Sequence, residues 1–272
     1  MPPGVTVQSG AVQGLFGPGS IMWRVNRERV VLLSGPAAAT LQVAHPVVAR
    51  GVDAHSLFRV DPVGRLLRTL RAVYTVAFGT SAEIEEVRRR VLAVHRDIRG
   101  PGYSAFDQDA LLWVLATLVM GSVCAYERFV EELTVREKEQ LLSEYANFGG
   151  VFGLAQDRLP QSWSGFQAYW EGMIAGPILG ADPLCGRVAH DVLSPTRPLY
   201  FRACRSIFRA FATGFMPAKL CEKLGIPPAG SRLWKFLDRC LPPLVRALPK
   251  SLRYDGHYLR ACRREQRRAL QK

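Results

Sequence analysis

TSAEIEEVRRRVLAVHRDIRG, residues 80–100, carries both a helix start and a helix face. Thr80 followed three residues later by Glu83 makes a capping box, in which each side chain satisfies a backbone N–H that the first turn leaves open. Ile84, Val87, Val91, Val94 and Ile98 then recur at spacings of three and four, the stripe of an amphipathic helix. His95 follows Val91 by four and so falls on the apolar side, while Arg88, Arg89 and Arg96 lie toward the other. The stretch predicts a helix that turns one imidazole toward protein.

The same grammar repeats outward in both directions. Ser20 is placed to cap a helix running to about Leu33, and Gly35-Pro36 starts another. Asp61-Pro62 sets a cap and a first-turn proline before GRLLRTLRAVYTVAFG. Thr134 with Glu137 and Ser164 with Gln167 read as two further capping boxes, and Pro217 opens a helix after Gly214. The Pro/Gly stretches at 100–102, 176–183, 225–230 and 242–243 read as turns, and strand-like alternation is scarce. The prediction is an all-α chain folded as a single multi-helical domain over 1–272, with roughly ten to twelve helices. Residues 1–19 are expected to be a flexible N-terminus and 246–272 a basic C-terminal helix.

Composition narrows the function classes. Lys and Arg number 36 against 23 Asp and Glu, for a net charge of +13. Residues 246–272 hold nine Lys/Arg and two Asp/Glu, so +7 resides there. Such a segment suits peripheral contact with an anionic membrane or is simply a solvated helix. No zinc-finger spacing or RNA-binding aromatic motif accompanies it, so no nucleic acid is expected. Cysteines at 124, 185, 204, 221, 240 and 262 contain no C-x-x-C pair, which predicts reduced thiols. The first twenty residues lack the basic start and apolar run of a signal peptide, and the expected compartment is the cytoplasm. Ala110–Tyr126 is uncharged, at the lower edge of the length needed to span a bilayer, and reads better as a central core helix.

The His-Arg-Asp triplet at 95–97 invites two readings that fail. A kinase catalytic loop needs Asn five residues after the Asp, where this chain has Gly102, and no Gly-rich loop or DFG is present. A non-haem iron site would need His95 and Asp97 on one side of a metal, yet residues two apart on a helix point about 200° apart. His95 is then either a satisfied core histidine or an imidazole ligand whose second nitrogen needs a partner.

The preceding helix adds polar candidates. Arg65, Arg68 and Thr69 stand at i, i+3 and i+4, hence on one face, and Leu66, Leu67, Leu70, Val73, Tyr74 and Ala77 supply a broad packing face. Paired arginines beside a hydroxyl suit an anion, or snorkel over apolar neighbours. His45 and His55 lie in LQVAHPVVARGVDAHSLF, where Pro46 interrupts a helix and frees carbonyls. His190 and His257 sit among polar residues and are assigned no role. No nucleophile elbow or P-loop is found.

Five ordered stretches together resemble a known family: HPVVARGVDAHSLF, DPVGRLLRT…FG, VHRDIRG…YSAFDQDALLWVLATL, LPQSW…FQAYWEGM and TGFMPAKLCEKLGI. The chain resembles the MpaB-type oxygenases, which include rubber oxygenase (latex-clearing protein), from about Gly10 to the basic C-terminal segment. The resemblance implies a mostly helical, globin-related core holding haem b. The family's H-x-x-x-R-G histidine, the proximal iron ligand, lands on His95. Its R-x-x-[KR]-T lands on Arg65, Arg68 and Thr69, lining the distal side, with His45 and His55 as further cofactor-binding candidates. Where rubber-cleaving relatives can place lysine, this chain has Arg68, and a permanently protonated guanidinium is a poor iron ligand, so the distal position is expected to be open or water-bound. Many relatives carry histidine where Leu115 stands here, and Asp53 is the candidate for the rubber branch's distal carboxylate. The implied function is a haem-dependent oxygenase that uses O2 on an apolar small molecule such as an isoprenoid or lipid. The alternative is a haem- or lipid-binding sensor or carrier without turnover.

Overall fold

The computed structural model describes residues 14–55, 60–194, 199–228 and 230–270. Fourteen α-helices follow one another among those residues. The first half runs through α1 (Ile21–Asn26), α2 (Gly35–Gln42), α3 (Pro46–His55), α4 (Pro62–Phe78), α5 (Ser81–Asp97), α6 (Gln108–Phe129) and α7 (Val135–Val151). The second half holds α8 (Trp163–Ala175), α9 (Pro183–Leu193), α10 (Leu199–Phe215), α11 (Ala218–Lys223), α12 (Arg232–Ala247), α13 (Lys250–Arg253) and α14 (Gly256–Ala269). The only sheet among the described residues is a two-residue antiparallel pair, β1 (Arg99–Gly100) and β2 (Tyr103–Ser104). The all-α expectation is met.

Helix α6 is the axle. It is long and apolar enough to cross a membrane, but most of its apolar window is buried inside the protein. It packs against the 3-10 turn Arg29–Ser34 and against α2, α7 and α12. Trp113 shows how it is fixed: the indole is fully buried, stacks on Trp170 at 5.1 Å and donates from Nε1 to the Leu41 carbonyl at 2.7 Å. The buried polar end is thereby satisfied while the ring contributes its apolar area. Buried residues from Phe16 to Ala261 form one continuous core.

Local cap chemistry sets most boundaries. The Asp61, Thr80 and Thr134 caps all form, the last two as full capping boxes. Four expectations are corrected. The helix after Ser20 stops at Asn26, because Glu28 turns inward, bridges Tyr254 and takes a two-pronged ion pair from Arg253 at 2.5 and 2.9 Å. The cap of α8 is Ser162, whose hydroxyl accepts from the Gly165 N–H at 3.1 Å, so Ser164 sits inside the first turn. Pro242-Pro243 lies within α12, whose frame is held on either side by Asp238 paired with Arg128 and by Arg246 Nε donating to the Val130 carbonyl at 3.1 Å. The basic segment 246–272 is the end of α12 followed by α13 and α14, divided where the Asp255 carboxylate accepts from the His257 N–H at 2.7 Å. Residues 271–272 and 1–13 lie outside the described residues, and Phe16 already packs into the core.

The tail does not float. The Arg27 guanidinium lies 4.7 Å over the Tyr254 ring, and Tyr258 packs edge-on against both Trp23 and Phe78 at 5.8 Å. Cys124, Cys185, Cys221, Cys240 and Cys262 are free thiols, and the side chain of Cys204 lies outside the described residues.

Candidate functional site

Helices α4 and α5 form an antiparallel hairpin joined by Gly79-Thr80. Gly79 is required there by proximity: a Cβ would meet the Thr75 carbonyl at 2.4 Å. That carbonyl accepts the Gly79 N–H at 2.7 Å and ends α4, and one residue later the Thr80–Glu83 box starts α5. Arg65 lies thirteen residues before Phe78, and His95 fourteen after Ser81. At about 1.5 Å per residue each sits about 20 Å along its own helix from the turn.

His95 is half-buried, its ring edge-on to Phe106 at 5.9 Å. Its Nδ1 is buried and has no hydrogen-bond partner. Burial pulls the imidazole pKa below the ordinary histidine value, which favours the neutral ring. Arg96 and Asp97 point to solvent, so the triplet shares no common site.

Around it the apolar stripe comes out of the core. Ile84 is buried, Val87 and Val91 are half-buried, and Val94 is 59% exposed. On α4, Leu66 and Leu67 are 48% and 60% exposed. The expectation that both leucines pack inside is therefore corrected: both stand largely exposed on the surface of α4. Arg65 is half-buried, and burial first, then the Arg68 charge, pull its pKa below the ordinary value. Arg68 is exposed and pairs with the Asp61 carboxylate at 3.2 Å, and Thr69 is exposed. The Gly64 N–H first, then Arg68, holds the Asp61 carboxyl below the usual range.

The other histidines separate into two cases. His45 is buried in the corner between α2 and α3, where the chain bends by 100° before Pro46, the first residue of α3. The Ala44 carbonyl freed by that bend accepts the Gly180 N–H at 2.8 Å. His45 also has an unpartnered buried Nδ1, and burial lowers its pKa despite Asp107 and Asp109 nearby. His45 and His95 thus both approach the start of α6, one feeling Asp107 and the other touching Phe106. His55 is exposed and committed to the Tyr103 hydroxyl at 3.0 Å, and Asp53 is exposed.

The short β-hairpin braces this corner. A Cβ on Gly51 of α3 would touch Ile98 Cγ2 at 3.3 Å, and Arg50 ties α3 to Asp182 at 3.0 Å. Phe106 and Tyr103 were not singled out as site residues. Their signal is faint: two aromatics three residues apart, just after the Pro101-Gly102 turn that follows the His95 helix. Leu115 is buried, its Cδ2 within 2.8 Å of where a Gly149 Cβ would stand, in apolar surroundings.

Among the described residues no three His, Cys, Asp or Glu side chains converge on one point. The family model for the ER-bound oxygenase mpaB/B'/rubber oxygenase catalytic domain matches residues 23–247. The chain belongs to this family. The match covers α2 to α12 entirely and includes every candidate site residue. Comparisons with curated proteins and with solved structures gave no significant match. This MpaB/rubber oxygenase family member is thus an all-α protein of an oxygenase family, with Arg65, Arg68 and Thr69 along the first half of α4 and His95 in the last turn of α5.

Proposed function

We propose that the protein is a haem b-dependent oxygenase that uses O2 on an apolar small molecule, with His95 as the iron ligand. One observation carries the reading most: His95, half-buried with its pKa lowered by burial, follows the exposed Val94 on α5, while Leu66 and Leu67 are exposed on the adjoining helix α4. Exposed aliphatic side chains gain by burial, so Leu66, Leu67 and Val94 favour an apolar group at these helices, and the accessible ring nitrogen of His95, not its buried Nδ1, is the one that can ligate it. When bound, haem supplies the O2-activating redox chemistry that the side chains lack.

The chain's own residues do the rest. His95 offers a neutral nitrogen as ligand, with Phe106 limiting its rotation. Arg65 and Arg68 present cations for carboxylates such as the two propionates, and the fork of a guanidinium suits that partner. The Thr69 hydroxyl is a donor on the same face of α4 and can hold or deliver a proton to an oxygen there. Leu66, Leu67 and Val94 exclude water and supply an apolar wall for substrate. His45 is the second neutral imidazole near the start of α6 and the next candidate ligand; His55, bound to Tyr103, is a weaker one. Residence in the cytoplasm, with the basic C-terminal segment touching anionic membrane, is part of the same proposal.

The test is an absorption spectrum of freshly purified protein followed by oxygen uptake. A Soret band with substrate-dependent O2 consumption supports the oxygenase. A Soret band with no uptake on any isoprenoid or lipid tried favours the carrier or sensor, and no Soret band at full folding overturns the haem assignment.

A further inference from the structure

Near the Gly79 turn of the hairpin the structure holds a polar cavity of about 440 Å³, between the C-terminal half of α4, the start of α5 and α14. We propose that it binds a phosphate monoester through Arg71, Arg260 and Arg264. Three guanidiniums enter it from two helices, and Glu83 is the one carboxylate in its lining. Three positive charges against one leave +2, the charge that a phosphoryl dianion neutralises.

The arginines are more than the fold requires. Arg264 has a structural duty: its Nη2 donates to the Phe78 carbonyl at 2.7 Å, at the C-terminal end of α4. Its Nε is buried without a hydrogen-bond partner, and the nearest carboxylate, Glu265, stands 3.6 Å away. Arg71 and Arg260 are exposed, and neither makes an ion pair among the described residues. Glu83 cannot serve all three, because its Oε2 already accepts from the Thr80 N–H at 2.7 Å and the Thr80 hydroxyl at 2.9 Å. Without an ion-pair partner, Arg71 on α4 and Arg260 on α14 repel one another across the seam where α14 docks, so an anion there also tightens that docking.

The cavity is larger than an anion needs, and it lies in the range of small-molecule pockets. Its floor is aromatic: Tyr74 stacks on His257 at 5.2 Å with the rings 13° apart, and on Phe78 at 5.9 Å. Planar walls beside a guanidinium cluster fit an ester whose body is flat or apolar. The α4 residues of the site, Arg71 to Phe78, lie about 9–20 Å along the helix from Arg65 by helix rise, beyond Thr69 and toward the Gly79 turn.

The experiment is calorimetric titration of the full-length protein with phenyl phosphate and with inorganic phosphate, and flotation with phosphatidylcholine vesicles containing phosphatidic acid. It is repeated on the Arg71→Ala/Arg260→Ala double variant, which keeps Arg264 and its helix cap. The expected result is that phenyl phosphate binds more tightly than inorganic phosphate. The double variant should weaken it roughly tenfold or more, the loss of at least one charge-assisted hydrogen bond, at unchanged helicity. Phenyl phosphate binding without vesicle binding assigns a soluble ester. Binding of both, each weakened in the double variant, assigns a lipid headgroup. No phosphate binding at millimolar concentration, or binding untouched by the double substitution, overturns the site.

Discussion

The two ends of the α4–α5 hairpin are built to different specifications. At the turn, Val76, Ala77 and Phe78 are almost completely buried, and α1, α7 and α14 all pack on the hairpin. Trp23 donates from its indole to the Ala77 carbonyl at 2.8 Å, and Arg264 covers the next carbonyl. At the open end, fifteen or so residues away, leucines and a valine face solvent, and a half-buried imidazole has a nitrogen with no partner. One hairpin therefore carries a region that stabilises the fold and a region left incomplete by the polypeptide. Incompleteness of that kind marks a place for a bound group, because the chain alone gains nothing from it.

The largest effect should fall at the turn. Phe78→Ala removes a ring that contacts Trp23, Tyr74 and Tyr258. It should cost about 3–5 kcal/mol, visible as a much lower urea midpoint. A loss under about 1 kcal/mol would show that this end is not the stabilising one.

The next effect belongs to the open end and to activity. Arg65→Ala and Thr69→Ala should leave melting temperature and haem content near wild type. Losing a positioned donor should slow oxygen uptake roughly 10²–10³-fold, by analogy with oxyanion-hole deletions. Arg68→Ala is expected to act more on haem retention. Activity within twofold of wild type for both Arg65→Ala and Thr69→Ala would leave this face as ordinary surface.

The smallest effect sharpens the contrast. The double substitution Leu66→Ser/Leu67→Ser should change the unfolding free energy of haem-free protein by only about 0.5 kcal/mol per site, as at ordinary surface positions. The same variant should release haem faster to an acceptor protein. An apoprotein that unfolds several kcal/mol more easily would mean the leucines are core after all.

Much of this was legible in the residues, and the limit is physical. The caps at Asp61, Thr80 and Thr134 depend on side chains three residues apart, so local spacing reveals them. The burial of His95 follows from its four-residue step beyond Val91. Its unpartnered nitrogen does not, since that depends on what other elements fail to bring near it. The inward turn of Glu28 needs Arg253, 225 residues away, and no local pattern announces that pairing. Passage of α12 through Pro242-Pro243 rests likewise on Arg128 and Val130. Leu66 and Leu67 show the converse: periodicity tells which face is apolar, and only the tertiary structure tells whether that face is covered.

In the proposed function, His95 binds the haem iron. The most direct measurement is haem content and the absorption spectrum of wild type and His95→Ala, purified in parallel, with helicity measured on both. The account predicts a Soret band in wild type and loss of most haem from His95→Ala at unchanged helicity. A His95→Ala protein with full haem stoichiometry and an unaltered spectrum would contradict it and move the assignment to His45.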